Sequence, residues 1–184
     1  MIFLITGATH CGKTLLAQRL LEKLHIPYLS LDHLKMGLIR SGLTSLTPAD
    51  DDQLTDFLFP VAAEIIKTAV ENRQHMIVEG CYIPPDWQNA FPAEYLPHIR
   101  GLCLAMTERH IREHFGGIAA HASDIERRLD DSGLSQQRLT EENREYILQW
   151  QGNSLPVVLI DGDYAAAMDT ALDLCCRAWQ DAMA

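Results

Sequence analysis

The sequence has no Cys-x-x-Cys pair, although it carries five cysteines: Cys11, Cys81, Cys103, Cys175 and Cys176. An odd number without paired spacing argues against a disulfide framework and for reduced thiols. No apolar run approaches the roughly 18 residues that span a bilayer. Basic residues are scarce: 15 Lys and Arg stand against 25 Asp and Glu, a formal net charge of −10. Such a surplus of acid disfavours unspecific binding to nucleic acid or to an anionic membrane. There is no repeat, low-complexity tract or linker, and no leader ahead of the first apolar stretch, so a cytoplasmic location is expected. The remainder is ordinary. The 184 residues, 47% hydrophobic, suffice for one domain over residues 1–184, as a monomer or a homodimer.

One stretch stands out from this background. Gly7-Ala8-Thr9-His10-Cys11-Gly12-Lys13-Thr14 fits G-x-x-x-x-G-K-[ST] without a mismatch. Ile2-Phe3-Leu4-Ile5 before it is rich in strand formers, and Leu15, Leu16, Leu20 and Leu24 after it recur at helical spacing. Strand, glycine-bounded loop and helix are the setting a phosphate-binding P-loop needs. Glycine at 7 and 12 lets backbone N–H groups turn inward, and the helix N-terminus adds its partial charge. Lys13 is expected on the β- and γ-phosphates of a nucleotide, and the Thr14 hydroxyl on Mg²⁺. Cys11 is either a reactive thiol or simply a small loop residue.

The rest of the chain alternates between strand and helix signals. The first helix is expected to end near His25, before Pro27. Tyr28 to Leu31 reads as a second strand with Asp32 at its carboxyl end, where open parallel sheets bind ligands. Asp32 also suits a helix N-cap for residues 33–40. Residues 41–52 read as a loop, and its aspartates as the opening of the next helix. Leu54 to Asn72 is amphipathic, with Pro60 expected to kink or split it. His75 to Val78 reads as a third strand, and Glu79 after it resembles the acid of a Walker B element, able to hold Mg²⁺ or orient a nucleophile. The pair Pro84-Pro85 enforces an extended loop. Ile99 to Met106 is the fourth strand. Thr107 is the expected cap of a helix over 108–115, broken by Gly116-Gly117. Ser123 caps residues 124–131. Pro156 precedes the fifth strand, Val157 to Ile160, and Asp161-Gly162-Asp163 turns into a last helix, Tyr164 to Met183. His110 and His114 have a metal-compatible spacing but no third ligand at zinc-site spacing. This order implies an α/β fold: five parallel strands with helices on both faces.

With the P-loop, Asp32, Glu79 and the arginines before the last strand in view, the chain resembles the nucleoside-monophosphate-kinase-like P-loop kinases. These include adenylate, shikimate, gluconate and 2-phosphoglycerate kinases. The resemblance spans nearly the whole chain in element order, and implies a three-layer P-loop NTPase fold. It further implies an acceptor-binding region over about residues 32–75 and a short lid over about 108–131. Arg128-Leu129-Asp130-Asp131 matches the R-x-D-D stretch at the end of the adenylate kinase lid, which implies that Arg128 neutralises phosphate charge. Arg109 and Arg112 are placed like the arginines at the front of such a lid. Arg144 begins the helix before the last strand, where the family carries another such arginine.

Two departures bear on the acceptor. The D-G-F-P-R stretch of adenylate kinases is Glu79-Gly80-Cys81-Tyr82-Ile83-Pro84 here, without the arginine. Their acid-x-x-arginine is Asp32-His33-Leu34-Lys35. The resemblance therefore implies an ATP- and Mg²⁺-dependent kinase acting on a hydroxyl of a small metabolite. Its catalytic groups are Lys13, Asp32 and Arg128, its metal groups Thr14 and Glu79. A nucleoside monophosphate kinase and a nucleotide-binding regulatory module are the alternatives.

Overall fold

The computed structural model describes residues 1–120 and 134–184, with backbone alone at positions 51 and 52. Five strands form one sheet: β1 (Ile2–Gly7), β2 (Tyr28–Ser30), β3 (Met76–Glu79), β4 (Ile99–Met106) and β5 (Val157–Ile160). All pairings are parallel, in the order β2-β3-β1-β4-β5. β1 is therefore central, and every one of its residues is buried. A strand covered on both faces needs no polar alternation, which is why Ile2-Phe3-Leu4-Ile5 is a continuous apolar run.

The two sides of β1 belong to two cores. Phe3 and Ile5 join Ile77, Leu104, Val158 and Ile160 against the helices α1 (Lys13–Leu24) and α6 (Tyr164–Met183). Ile2 and Leu4 join Val78, Ile99 and Cys103 against α3 (Asp51–Glu71), through Leu54, Leu58, Ala62 and Ile66. The short helix α2 (Leu31–Arg40) adds Leu31 to this second side. Between β4 and β5 lie α4 (Glu108–Ala120) and α5 (Gln136–Gly152). The result is three layers, helices over both faces of a parallel sheet.

Four sequence expectations need correction. Of the two outcomes expected at Pro60, the split does not occur: α3 is continuous from residue 51 to 71. Its ring is on the exposed side, so only one ladder hydrogen bond is forfeited, while the buried apolar face holds the helix. Gly116-Gly117 does not break α4, which continues to Ala120. A Cβ on either glycine would meet nothing within 4 Å, so no close packing calls for them and each costs only propensity. β2 stops at Ser30, so Asp32 lies in the first turn of α2 and Ser30 takes the N-cap position. Arg144 is in the middle of α5, not at its start. The segment holding Ser123, Arg127, Arg128, Asp130 and Asp131 is outside the described residues.

Candidate active site

The carboxyl ends of β1 and β3 meet at the loop of residues 7 to 14. Two left-handed residues shape it, His10 with φ 61° and Gly12 with φ 84°. Gly7, with φ 143°, passes the neighbouring strand closely: a Cβ there would lie 2.0 Å from the Leu104 carbonyl oxygen. Ala8 and Cys11 are buried beneath the loop, and Thr9 and His10 are half-buried on it. The loop then feeds directly into α1 at Lys13. Its backbone amides and the helix N-terminus are thus gathered at one point, where an anion is favoured.

Lys13 is buried, and its Nζ donates to the Ala8 carbonyl at 2.8 Å. Burial opposes its charge, yet its pKa is raised overall, because Cys81, Cys11, Glu79 and Glu142 all favour the ammonium. Cys11 is itself pushed up to about 12, by burial first, so the thiol is neutral at pH 7. Cys11 Sγ donates to Asn143 Oδ1 at 3.2 Å. Its burial and this hydrogen bond favour the small loop residue over the reactive thiol.

Thr14 Oγ1 donates to Glu79 Oε2 at 3.3 Å, and Glu79 is buried at the end of β3. A hydroxyl and a carboxylate side by side are hard oxygen donors of the type Mg²⁺ takes. The three residues expected to serve phosphate and metal, Lys13, Thr14 and Glu79, are thus brought together. The donor chemistry fits a magnesium-bound nucleotide.

Asp32 is organised separately. Its Oδ1 lies 2.5 Å from Lys35 Nζ, one turn along α2. Lys35 Nζ also donates to Tyr82 Oη at 2.8 Å and sits 5.0 Å from the centre of that ring. Lys35 is largely covered while Asp32 is about two-fifths exposed. The carboxylate is held in place and still reachable from solvent. The loop after β3 supplies the buried Tyr82, and Pro84-Pro85 follow it in the chain.

Arg109 and Arg112 project from the first turns of α4. Arg109 forms a two-pronged pair with Asp161, Nε to Oδ1 at 3.0 Å and Nη2 to Oδ2 at 2.8 Å. Thr107 Oγ1 donates to the same carboxylate at 2.7 Å. These hydrogen bonds, Arg109 first, hold Asp161 below the usual carboxylate range. Thr107 also caps α4 as expected, accepting from the His110 amide at 3.1 Å. Asp163 caps α6 by accepting from the Ala166 amide at 3.0 Å. Arg112 is exposed, 3.9 Å from Glu113. His110 Nδ1 accepts from Gly162 N–H at 3.2 Å. Burial first, then His114, lowers its pKa, so it serves as a neutral brace for the turn after β5. Among the described residues no group of three or more His, Cys, Asp and Glu is placed to hold a metal.

Sequence reasoning missed the contribution of α5. Glu142 Oε1 accepts from the Thr9 amide at 2.8 Å. The buried Asn143 accepts from both Cys11 and the Met106 amide, the latter at 2.7 Å, and donates to the Leu139 carbonyl. Tyr146 Oη donates to the Cys81 carbonyl at 2.8 Å. One helix thus grips the phosphate loop and the loop after β3 together. The signal was available: Leu139, Asn143, Tyr146 and Trp150 recur at helical spacing, with a buried amide on an otherwise apolar stripe.

No family model matches the chain, and no curated protein matches its sequence. Solved structures do match its fold. A gluconokinase from Sinorhizobium meliloti 1021 is 15% identical with a TM-score of 0.55, over 98% of this chain and 94% of that one. A shikimate kinase from Aquifex aeolicus is 16% identical with a TM-score of 0.53, over 97% and 99%. A shikimate kinase from Bacteroides thetaiotaomicron is 12% identical with a TM-score of 0.57, over 95% and 98%. The chain therefore has the three-layer fold that these P-loop kinases share, over nearly its whole length.

Proposed function

We propose that this protein is an ATP-dependent kinase that transfers the γ-phosphoryl group to a hydroxyl of a small-molecule acceptor. The observation that carries this reading is the grouping of Lys13, Thr14 and Glu79 around the loop of residues 7 to 14, at the carboxyl ends of β1 and β3. The gluconokinase and shikimate kinases with this fold phosphorylate, as their names state, small metabolites, and that agrees with it.

Each residue then has a physical task. The loop amides and Lys13 receive the phosphate chain. Thr14 and Glu79 would hold Mg²⁺, which when bound neutralises phosphate charge. Arg109, paired with Asp161 beside the turn at Gly162, is a candidate for covering the phosphates. Asp32, fixed by Lys35 but open to solvent, orients the acceptor hydroxyl toward the γ-phosphorus. The hydroxyl oxygen forms the new P–O bond, and the bond to the bridging oxygen of the β-phosphate breaks. The hydroxyl proton passes to Asp32 or to water. Such catalysis is largely positioning and charge stabilisation. Arg112 and Arg128 are further candidates for covering the phosphates.

The test is phosphate transfer from Mg·ATP across a panel of hydroxy acids, sugars and sugar acids, with Lys13→Ala and Asp32→Asn beside the unaltered protein. The reading expects at least one acceptor, and a loss of turnover of about a hundredfold or more in each variant. Undiminished turnover in the Lys13 variant would refute the mechanism.

A further inference from the structure

The phosphate loop carries a carboxylate on one of its own amides. Glu142 reaches from α5 to accept from the Thr9 N–H at 2.8 Å. The adjoining residues are held as well: the Ala8 carbonyl by Lys13 at 2.8 Å, and Cys11 by Asn143, the neighbour of Glu142. The helix beneath cannot withdraw readily. Asn143 is buried and bonded to Met106, Cys11 and Leu139, Trp150 is fully buried, and Tyr146 is tied to the Cys81 carbonyl. A fixed negative charge therefore stands at the rim of a site built to receive anions. Its influence extends to Lys13 as well as to Cys11.

A plain structural cap would not need that charge. A glutamine or a water accepts from an amide as well as a carboxylate does. A carboxylate here weakens the site for every anion in proportion to the anion's own charge. ATP without a metal carries about twice the net negative charge of its magnesium complex, so the penalty falls chiefly on the metal-free form. We propose that Glu142 is a specificity-determining residue: it makes the loop discriminate against nucleotide that arrives without its divalent cation. This rests on the reading of residues 7 to 14 as a nucleotide site, and gives that site a selectivity of its own. Metal-free ATP is a competitor that cannot react. Rejecting it electrostatically leaves the loop open to the reactive complex.

The experiment is calorimetric titration of the full chain with ATP in excess EDTA and with ATP in excess MgCl₂, for the unaltered protein, Glu142→Gln and Glu142→Ala. Urea unfolding of each variant verifies that it is folded. Glutamine keeps the acceptor and loses the charge, so Glu142→Gln isolates the charge. The expected result is metal-free ATP bound about tenfold more tightly by Glu142→Gln, and the magnesium complex only about threefold more tightly, the logarithm of the effect following ligand charge. Glu142→Ala is expected to follow the same direction. Equal changes for both ligands, no change, or weaker binding by Glu142→Gln would each overturn the proposal. In those cases nucleotide still binds the unaltered protein, and the reading of the loop survives. Absence of binding of either form to the unaltered protein would overturn the nucleotide site itself, and the proposal with it.

Discussion

Gly12→Ala is the sharpest test of how the phosphate loop is held. Gly12 has φ 84°, which costs an L-residue about 1 kcal/mol relative to glycine. A Cβ built there lies 2.1 Å from Tyr164 Oη, 3.1 Å from its Cζ and 3.5 Å from Met168 Sδ. Tyr164 opens α6 and is partly buried against the core, so its side chain has to be displaced. Overpacking of this kind costs a further 1–3 kcal/mol or so. The sum, about 2–4 kcal/mol, is a large part of the stability of an ordinary domain. The clash resides mostly in one atom. Tyr164→Phe deletes that oxygen and leaves the ring carbon at 3.1 Å, which a small shift relieves. In that background Gly12→Ala is expected to cost only about 1–2 kcal/mol, mainly backbone strain. Urea unfolding of the four proteins closes a double-mutant cycle with a predicted coupling of about 1–2 kcal/mol. Additive costs, or a Gly12→Ala protein as stable as its parent, would refute the idea that Tyr164 packs as the outer wall of the loop.

Three other outcomes are expected. Asn143→Leu leaves the Met106 amide and the Cys11 thiol without their shared buried acceptor, and should destabilise by about 2–4 kcal/mol in urea; a variant as stable as the parent would contradict that role. Cys11, fully buried with its thiol pushed up to about 12, should resist alkylation by iodoacetamide at pH 8 until urea unfolds the chain; rapid labelling in the native state would contradict its assignment as inert. Asp161 has its pKa lowered by Arg109 and Thr107 on folding, so its contribution is present above the unfolded carboxylate value of about 4 and is lost as pH falls through the lower folded value. Asp161→Asn should therefore flatten the decline of melting temperature below about pH 4, and an unaltered acid limb would count against that pairing.

What was legible in the sequence follows from how local the signals are. The loop of residues 7 to 14 is a contiguous motif whose chemistry is fixed by residue type, and the structure gathers Lys13, Thr14 and Glu79 as expected. β4 and β5 also emerge with the expected bounds, because buried parallel strands are apolar runs between breakers. Helix breakers mark the limit of local signals: Gly116-Gly117 lie within α4, and Pro60 within an unsplit α3 whose apolar face is buried. Residue pairs remote in sequence were beyond reach. Nothing local to Glu142 announces that it meets Thr9, 133 positions away, nor does Asp161 announce Arg109, 52 positions away. Asp32 was placed at the mouth of the sheet, but its ion pair with Lys35 and the further bond to Tyr82 depend on the path of the loop after β3.

On the proposed reading, residues 7 to 14 receive a triphosphate through Lys13. The direct measurement is calorimetric titration of Mg·ATP into the unaltered protein and into Lys13→Ala, each verified as folded by urea unfolding. One site per chain in the unaltered protein, with affinity reduced at least tenfold in the variant, is the predicted result. No binding to the unaltered protein, or equal affinity in the two, would contradict it.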